Sequence, residues 1–353
     1  MEPAKAGHRI ALDCMGGDMG PSEAVAAVAL ALKDGLVGPD DRITLVGNEE
    51  VLRLLAREHR FRPGGRVDIH AASGIVLPDD SPMGVLKGKK DASMLVALEL
   101  LREGKVDAVV STGNTKVLVG AGTLRLRTLE GAERPALAAI MPRREGHFVL
   151  LDVGANPEAT PEQLVHNAVM GRVYAQSALG IAEPRVGLLT VGTEEGKGGA
   201  RINRTHTALK AMGERLRYVG PVEGFDVFGD VCDVVVTDGF TGNVIIKTLE
   251  GLVFMVRDLV GPKVRYNPVY LAGGIAMFPL LRELKGHLKP ERYGGAPLLG
   301  LNGIVMKAHG SSNRHGIASA IRLGREALEA GAGRRMREEL AAANAVMASL
   351  PAE

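Results

Sequence analysis

The chain has no tryptophan, and aromatic residues make up only 3% of its 353 positions. Nucleic-acid binding needs aromatic platforms for bases and a basic stripe for phosphates. With a formal net charge of only +2, neither is supplied, and no nucleic-acid partner is expected. Cysteine is equally scarce. Cys14 and Cys232 are the only two, and without a Cys-x-x-Cys pair a zinc ribbon is excluded. Both read as small buried residues, and so few thiols suit a reducing cytoplasm. No run of about 18 uncharged apolar residues appears, so no helix is expected to span a bilayer. Met1 to Arg9 lacks the apolar stretch of a secretory signal, which again points to the cytoplasm. There is no Gly-x-Ser-x-Gly elbow, Gly-x-Gly-x-x-Gly fingerprint or His-Glu-x-x-His. Hydrolase, dinucleotide and zinc-protease readings therefore have no local support, and neither metal nor cofactor is expected.

What is present is alternation. The apolar fraction of 46% is ample for a buried core. Short β-rich runs at Arg9–Asp13, Ile43–Val46, Val67–His70, Asp107–Ser111, Ala136–Met141, His147–Val153, Val186–Val191, Leu216–Val219 and Asp233–Thr237 read as strands. Helical patterns lie between them, among them Ser22–Asp34, Glu49–His59, Ser93–Glu103, Pro161–Leu179 and Ala200–Arg215, with Ile317–Leu350 helical and broken near Gly331. Strand–helix alternation with continuous apolar strands predicts a mainly parallel sheet covered on both faces. Ala136–Val153 departs from this as a hairpin around Pro142-Arg143-Arg144-Glu145-Gly146. No linker or repeat divides the chain, so one α/β domain over residues 1–353 is expected.

Several strands end in small and polar residues, where open α/β sheets bind ligands. Such ends occur at Asp13-Cys14-Met15-Gly16-Gly17-Asp18, Ser111-Thr112-Gly113-Asn114-Thr115 and Asp152-Val153-Gly154-Ala155-Asn156. Gly192-Thr193-Glu194-Glu195-Gly196-Lys197-Gly198 is not a Walker A loop: only three residues separate Gly192 from Gly196, and Gly198 replaces the magnesium-binding hydroxyl. It leaves one lysine on a glycine loop, suited to a small anion or a forming oxyanion. In Asp238-Gly239-Phe240-Thr241-Gly242-Asn243, the Asn243 amide and Thr241 hydroxyl can donate to a ligand, or either residue can cap the helix that follows. A second glycine-rich region comprises Tyr293 to Gly303 and Lys307 to Asn313, within which His309-Gly310-Ser311-Ser312 has the composition of an anion nest. His147 and Asp152 match a His-x4-Asp spacing, but Phe148-Val149-Leu150-Leu151 reads as strand, which places the two on opposite faces.

Between Lys247 and Arg292, eight Lys or Arg stand against four Asp or Glu, a local net of +4. Phe254, Met255, Met277 and Phe278 add apolar bulk. This segment, about 249–290, is expected to protrude as basic, apolar helices. Arg257, Phe278, Arg282, Lys285 and Lys289 would then form a surface for an acidic partner or an anionic membrane; an ordinary dimer-interface hairpin fits as well.

Taken together and in order, these motifs resemble the phosphate acyltransferase family. The resemblance runs from about Ile10 to Ala330. It rests on Ala11-Leu12-Asp13 with Met15-Gly16-Gly17-Asp18, Ser111 with Gly113-Asn114-Thr115, Arg134-Pro135-Ala136-Leu137 and Leu151-Asp152-Val153-Gly154-Ala155-Asn156. It continues through Gly192-Thr193-Glu194-Glu195, Val222-Glu223-Gly224, Thr237 to Val244, Tyr293-Gly294-Gly295-Ala296 and His309-Gly310-Ser311-Ser312. The chain departs from the family at Thr112, Thr190-Val191 and Gly199, and at Lys116, where a long cation replaces glycine beside the expected ligand loop.

The resemblance implies a Rossmann-like three-layer α/β/α fold, related to phosphotransacetylases and to isocitrate- and isopropylmalate-type dehydrogenases, and a homodimer. It also implies an enzyme that moves a fatty acyl group from acyl-acyl carrier protein to inorganic phosphate. The acyl phosphate would pass to a membrane acyl phosphate:glycerol-3-phosphate acyltransferase, so peripheral membrane association is implied. Phosphate already carries an anionic oxygen, so the reaction requires no enzyme nucleophile. Lys197 is expected to hold phosphate or the oxyanion and Asn243 the carbonyl oxygen. Gly16, Gly17, Asp18, Asn114, Thr115, Lys116, Asn156, Thr193, Glu194, Glu195, Thr241, His309, Ser311 and Ser312 are expected around them. The alternatives are an acyl-coenzyme A enzyme of the phosphotransacetylase kind and a non-enzymatic membrane-surface binding protein.

Overall fold

The structure is a computed structural model that describes residues 7–194, 197–287 and 294–350. Its centre is a sheet of eleven strands. In chain order these are β1 (Arg9–Asp13), β2 (Arg42–Gly47), β3 (Val67–Ala71), β4 (Ala108–Ser111), β5 (Ala136–Pro142), β6 (His147–Leu151), β7 (Val186–Thr190), β8 (Tyr218–Glu223), β9 (Val234–Val236), β10 (Gly295–Leu299) and β11 (Ile304–Ala308). The helices are α1 (Gly20–Lys33), α2 (Glu49–Glu58), α3 (Pro82–Gly88), α4 (Ser93–Arg102), α5 (Thr115–Leu126), α6 (Pro161–Ala178), α7 (Gly199–Ala211), α8 (Gly239–Tyr266), α9 (Pro268–Ala276), α10 (Phe278–His287), α11 (Arg314–Glu329) and α12 (Ala332–Ala348).

The spatial order is β3-β2-β1-β4-β11-β10-β5-β6-β9-β7-β8. The first five strands are mutually parallel, and so are the last four. An antiparallel seam through β10 and β5 joins them, so the two parallel blocks run in opposite directions. The mainly parallel three-layer arrangement is the expected one. Two cores lie on its faces, and strand alternation assigns residues to them. Ile10, Leu12, Ile43, Leu45, Val149 and Leu151 enter one core, while Ala11, Val46, Val109, Phe148, Leu150 and Val235 enter the other.

The expected hairpin is β5–β6, and the expected break in the last helix is Gly331, in the left-handed region at φ 61°. Two expectations need correction. The strand expected at Leu216–Val219 begins at Tyr218 and runs to Glu223. It is the outer strand of the sheet, half-exposed and carrying Gly220 and Pro221, so no apolar run marks it. The glycine-rich region after Tyr293 contains strands β10 and β11. Proline inside a central strand normally argues against one, because it cannot donate to the ladder. Here β10 pairs with β11 up to Pro297 and with β5 from Leu298 onward, so Pro297 stands where the strand changes partner.

Candidate active site

Two groups of loops carry the expected site residues. The first is built on the carboxyl ends of β1, β4 and β11. Parallel register sets Asp13, Ser111 and Lys307 side by side on these strands. Asp13 is fully buried and accepts from Ser93 Oγ and Ser111 Oγ, both at 2.6 Å, and from the Met15 amide at 3.3 Å. Burial pushes its carboxyl above the usual range, and the hydroxyl donors pull it back. The glycines let the neighbouring loops close over this row. A Cβ on Gly16 would stand 2.7 Å from Asp13 Oδ2, and one on Gly17 would stand 2.6 Å from Thr112 Oγ1. The Asp18 amide donates to Gly310 O at 2.9 Å, which fastens the first loop to the His309 nest.

That nest has a defined hydrogen-bond sense. The Ser311 amide donates to His309 Nδ1 at 3.3 Å, and the Ser311 hydroxyl lies 2.8 Å from the same nitrogen. An accepting Nδ1 leaves the proton on Nε2. Partial desolvation lowers the imidazole's affinity for a second proton, so near pH 7 His309 is a neutral donor through Nε2–H. The Ser312 amide closes the turn onto His309 O at 2.9 Å.

The second group is built on β6, β7 and β9. Asp152 is fully buried and gathers its own loop, accepting from the amides of Leu137, Gly154, Ala155 and Asn156 at 2.7–3.1 Å. The start of α8 is pressed onto that loop. A Cβ on Gly242 would fall 1.9 Å from Asp152 O, and one on Gly239 would fall 2.7 Å from Asn156 O. This fit requires glycine at both positions and sets Asn243 over Gly154, whose notional Cβ lies 3.9 Å from the Asn243 side chain.

The cap of α8 is neither Thr241 nor Asn243, as the sequence allowed, but Asp238, whose Oδ1 accepts from the Thr241 amide at 2.8 Å. The exposed Asn243 side chain is thereby left clear of capping. Asp238 also accepts from Arg201 at 2.6 Å, and Arg201 donates onward to Ala159 O at 3.0 Å. Arg201 thus ties the first turn of α7 to the cap of α8. No motif contains it; an arginine in the unfavourable first turn of a helix is its only sequence signal.

Lys197 lies exposed just before α7 and is ion-paired with Glu194 at 2.6 Å. Gly192 permits this curl, since a Cβ there would meet the Lys197 side chain at 2.5 Å. Thr193 is exposed on the same turn, and Glu195 lies outside the described residues.

The other expected residues divide. Asn114 caps α5, accepting from the Lys116 and Val117 amides, while its own amide donates to the carbonyls of Leu77, Pro78 and Asp80. Its side chain is therefore committed to holding the loop before α3. Thr115 and the exposed Lys116 form the first turn of α5. Asn156 donates to Pro135 O at 2.6 Å and acts on its own loop. His147 and Asp152 stand at opposite ends of β6, consistent with rejecting them as a pair.

Helix α8 brings the two groups together. Ile245 and Ile246 pack against the same core that lies beneath Ala11, Val109 and Val305. One turn on, Lys247, paired with Glu250 at 2.7 Å, acts electrostatically on Lys307 and His309. This region of strand ends and α8 therefore holds an asparagine, a neutral histidine and several lysines. It holds no activated thiol: burial pushes Cys14 far up and Cys232 to about 12, so both stay protonated and inert. Among the described residues, no three His, Cys, Asp or Glu side chains gather as metal ligands.

A family model described as "Fatty acid synthesis protein" matches residues 8–335. The phosphate acyltransferase of Desulfitobacterium hafniense is 41% identical over 337 residues, covering 94% of this chain and 97% of that protein. The phosphate acyltransferase of Pseudomonas fluorescens is 43% identical over 312 residues, covering 88% and 91%. The chain belongs to the phosphate acyltransferase family. It is an acyltransferase of fatty-acid and phospholipid synthesis.

The fold extends to more distant proteins. A phosphotransacetylase from Streptococcus pyogenes superposes with a TM-score of 0.61 at 18% identity, over 92% of this chain and 95% of that one. A 4-hydroxythreonine-4-phosphate dehydrogenase from Klebsiella pneumoniae gives 0.51 at 14% identity, over 92% and 99%. The expected kinship of fold with phosphotransacetylases therefore holds.

Proposed function

We propose that this acyltransferase moves a fatty acyl group from acyl-acyl carrier protein to inorganic phosphate. One observation carries the reading: the family match, residues 8–335, spans every one of these strand-end loops. The chemistry fits those loops. A phosphate oxygen attacks the thioester carbonyl and a tetrahedral oxyanion forms. The oxyanion collapses to acyl phosphate with cleavage of the C–S bond, and the proton of the hydrogen phosphate passes to the departing thiol. The enzyme supplies position and screening of negative charge rather than a covalent intermediate. In this reading Asn243 donates to the carbonyl oxygen, and Lys197 leaves Glu194 to meet developing negative charge.

The test is phosphate-dependent thiol release with two donors, acyl-acyl carrier protein and acyl-coenzyme A. Faster release from the carrier protein supports the proposal. A preference for the coenzyme would assign the chain to phosphotransacetylase-like chemistry, and no phosphate-dependent release would leave only a binding role.

Delivery of the product completes the proposal. Beyond its first turns α8 leaves the body, α9 folds back beside it and α10 packs on α9. Leu252, Phe254, Leu259, Tyr270, Ile275, Phe278 and Leu281 are all exposed, and past Gly242 no described residue of these helices is buried. Patches of this extent mark interaction surfaces. Arg282 is exposed among them, and Arg257 lies over the Phe254 ring at 5.0 Å. The Lys285 side chain and Lys289 lie outside the described residues. No described helix is long and apolar enough to cross a membrane. The proposed role is peripheral: a homodimer in the cytoplasm rests this segment on an anionic bilayer and hands acyl phosphate to a membrane glycerol-3-phosphate acyltransferase.

A further inference from the structure

We infer that Lys307 is the seat of the phosphate acceptor, with its ammonium contacting one face of a tetrahedral oxyanion between the strand ends of β1, β4 and β11 and the first turns of α8. The inference rests on the acyl-transfer reading for the identity of the anion. Its geometry stands separately.

Lys307 is only 7% exposed. Its ammonium donates to two neutral acceptors, Thr112 O at 3.3 Å and Ala308 O. An ammonium has three donors, so one remains. Among the described residues no carboxylate lies within ion-pair distance of it. Asp13, its neighbour but one across the sheet, accepts instead from Ser93, Ser111 and the Met15 amide. A buried cation without a bonded counter-ion is costly and is kept where a ligand supplies the charge.

The surroundings carry both signs. Four charged or titratable groups bear on Lys307: Asp13 from β1, Asp18 from the loop that follows, Lys247 from α8, and His309 beside it on the β11–α11 loop. Lys247, itself paired with Glu250, and the Nε2–H of His309 add a cation and a donor. Burial lowers the Lys307 pKa to about 8, Asp13 and Asp18 draw it back up, and Lys247 pushes it down. A phosphate placed among these groups would relieve both the burial and the repulsion between the lysines. The floor is fixed: Gly310 lies so close to Asp18 that a Cβ there would stand 2.7 Å from its carboxylate, and Asp18 N bonds Gly310 O. Lys197 is then left to the thioester side of the reaction.

Lys307→Met keeps the length of the side chain and removes its charge. Its KM for phosphate should rise about 10- to 100-fold, the range for a lost charged hydrogen bond, with the KM for the thioester unchanged. Binding is also read without turnover. Inorganic phosphate should raise the melting temperature of the wild type, and Lys307→Met should lose that shift.

A third readout needs no variant. Wild-type affinity for phosphate should fall about fivefold over the pH unit above 8, as Lys307 loses its proton. Phosphate stays a dianion throughout that window, so the fall does not come from the ligand. If Lys307→Met does not fold, this profile decides. A wild-type phosphate KM and melting shift in Lys307→Met, or a flat profile to pH 9.5, would overturn the inference and leave Lys307 as a brace between two carbonyls. Wild-type enzyme that binds phosphate with this profile yet releases no thiol would sink the acyl-transfer reading and leave Lys307 as an anion ligand.

Discussion

Lys197 and Asn243 stand on neighbouring strand ends of the second block, and each is positioned by glycine. Lys197→Ala should lower phosphate-dependent thiol release by about a hundredfold or more with the fold intact, the usual loss for one transition-state donor. Near wild-type turnover in a folded protein would end its assignment. The cysteines lead to the opposite expectation. Both are buried and protonated at neutral pH, so Cys14→Ser and Cys232→Ser should keep most activity, and mass spectrometry should find no acyl group on either. A trapped acyl-cysteine would exclude direct attack by phosphate.

The element that decides the site is α8. Its cap and its glycines are structural, yet they aim Asn243 and Lys247. Burial would raise the Asp238 carboxyl, but the Thr241 amide and hydroxyl and the Arg201 guanidinium hold it below the ordinary range. A carboxyl depressed in the folded state stabilises the fold above its unfolded pKa, and that stability is lost as pH falls through the folded value. Asp238→Asn should therefore melt below the wild type at neutral pH, with the gap closing as pH falls below about 4. A gap independent of pH would show that the charge contributes nothing. Gly242→Ala is more severe, because its Cβ would overlap Asp152 O. Calorimetry should show lost stability and kinetics lost turnover together. Unchanged melting would mean that α8 can shift off the 152–156 loop.

At the scale of the whole molecule, the exposed helices α8 to α10 make the sharpest demand. Electrostatic attraction to anionic lipid is worth roughly 1 kcal/mol per basic residue and is screened by salt, whereas apolar insertion resists salt. Phe278→Asp should weaken flotation with anionic vesicles even at high salt. Charge reversal at Arg282 should weaken it chiefly at low salt. A folded carrier protein offers no hydrocarbon layer, so carrier titration should respond to Arg282 and not to Phe278. If Phe278→Asp floats normally but sediments as a monomer, the surface belongs to the dimer instead.

Much of this was legible in the chain. Continuous apolar runs placed eight of the strands near their observed positions, because a strand buried on both faces must be apolar throughout. Polar strand ends marked Asp13, Asp152 and Asn243, since glycine and short polar residues there serve few purposes besides turning the chain and meeting a ligand. Only the fold decided which of these side chains are free. Asn114 and Asn156 spend their amides on neighbouring carbonyls, Asp238 takes the cap open to Thr241 or Asn243, and Lys197 rests on Glu194. Lys307 stood in the sequence only as the first residue of the Lys307–Asn313 stretch, with no chemistry assigned to it, because a lysine beside an apolar run gives no local sign of burial. Parallel pairing with β4 buries it in register with Ser111 and two strands from Asp13. Local patterns record where a residue stands along its own element. Burial and charge depend on which distant strand lies beside it, and pairing across about 200 residues of chain leaves no local trace.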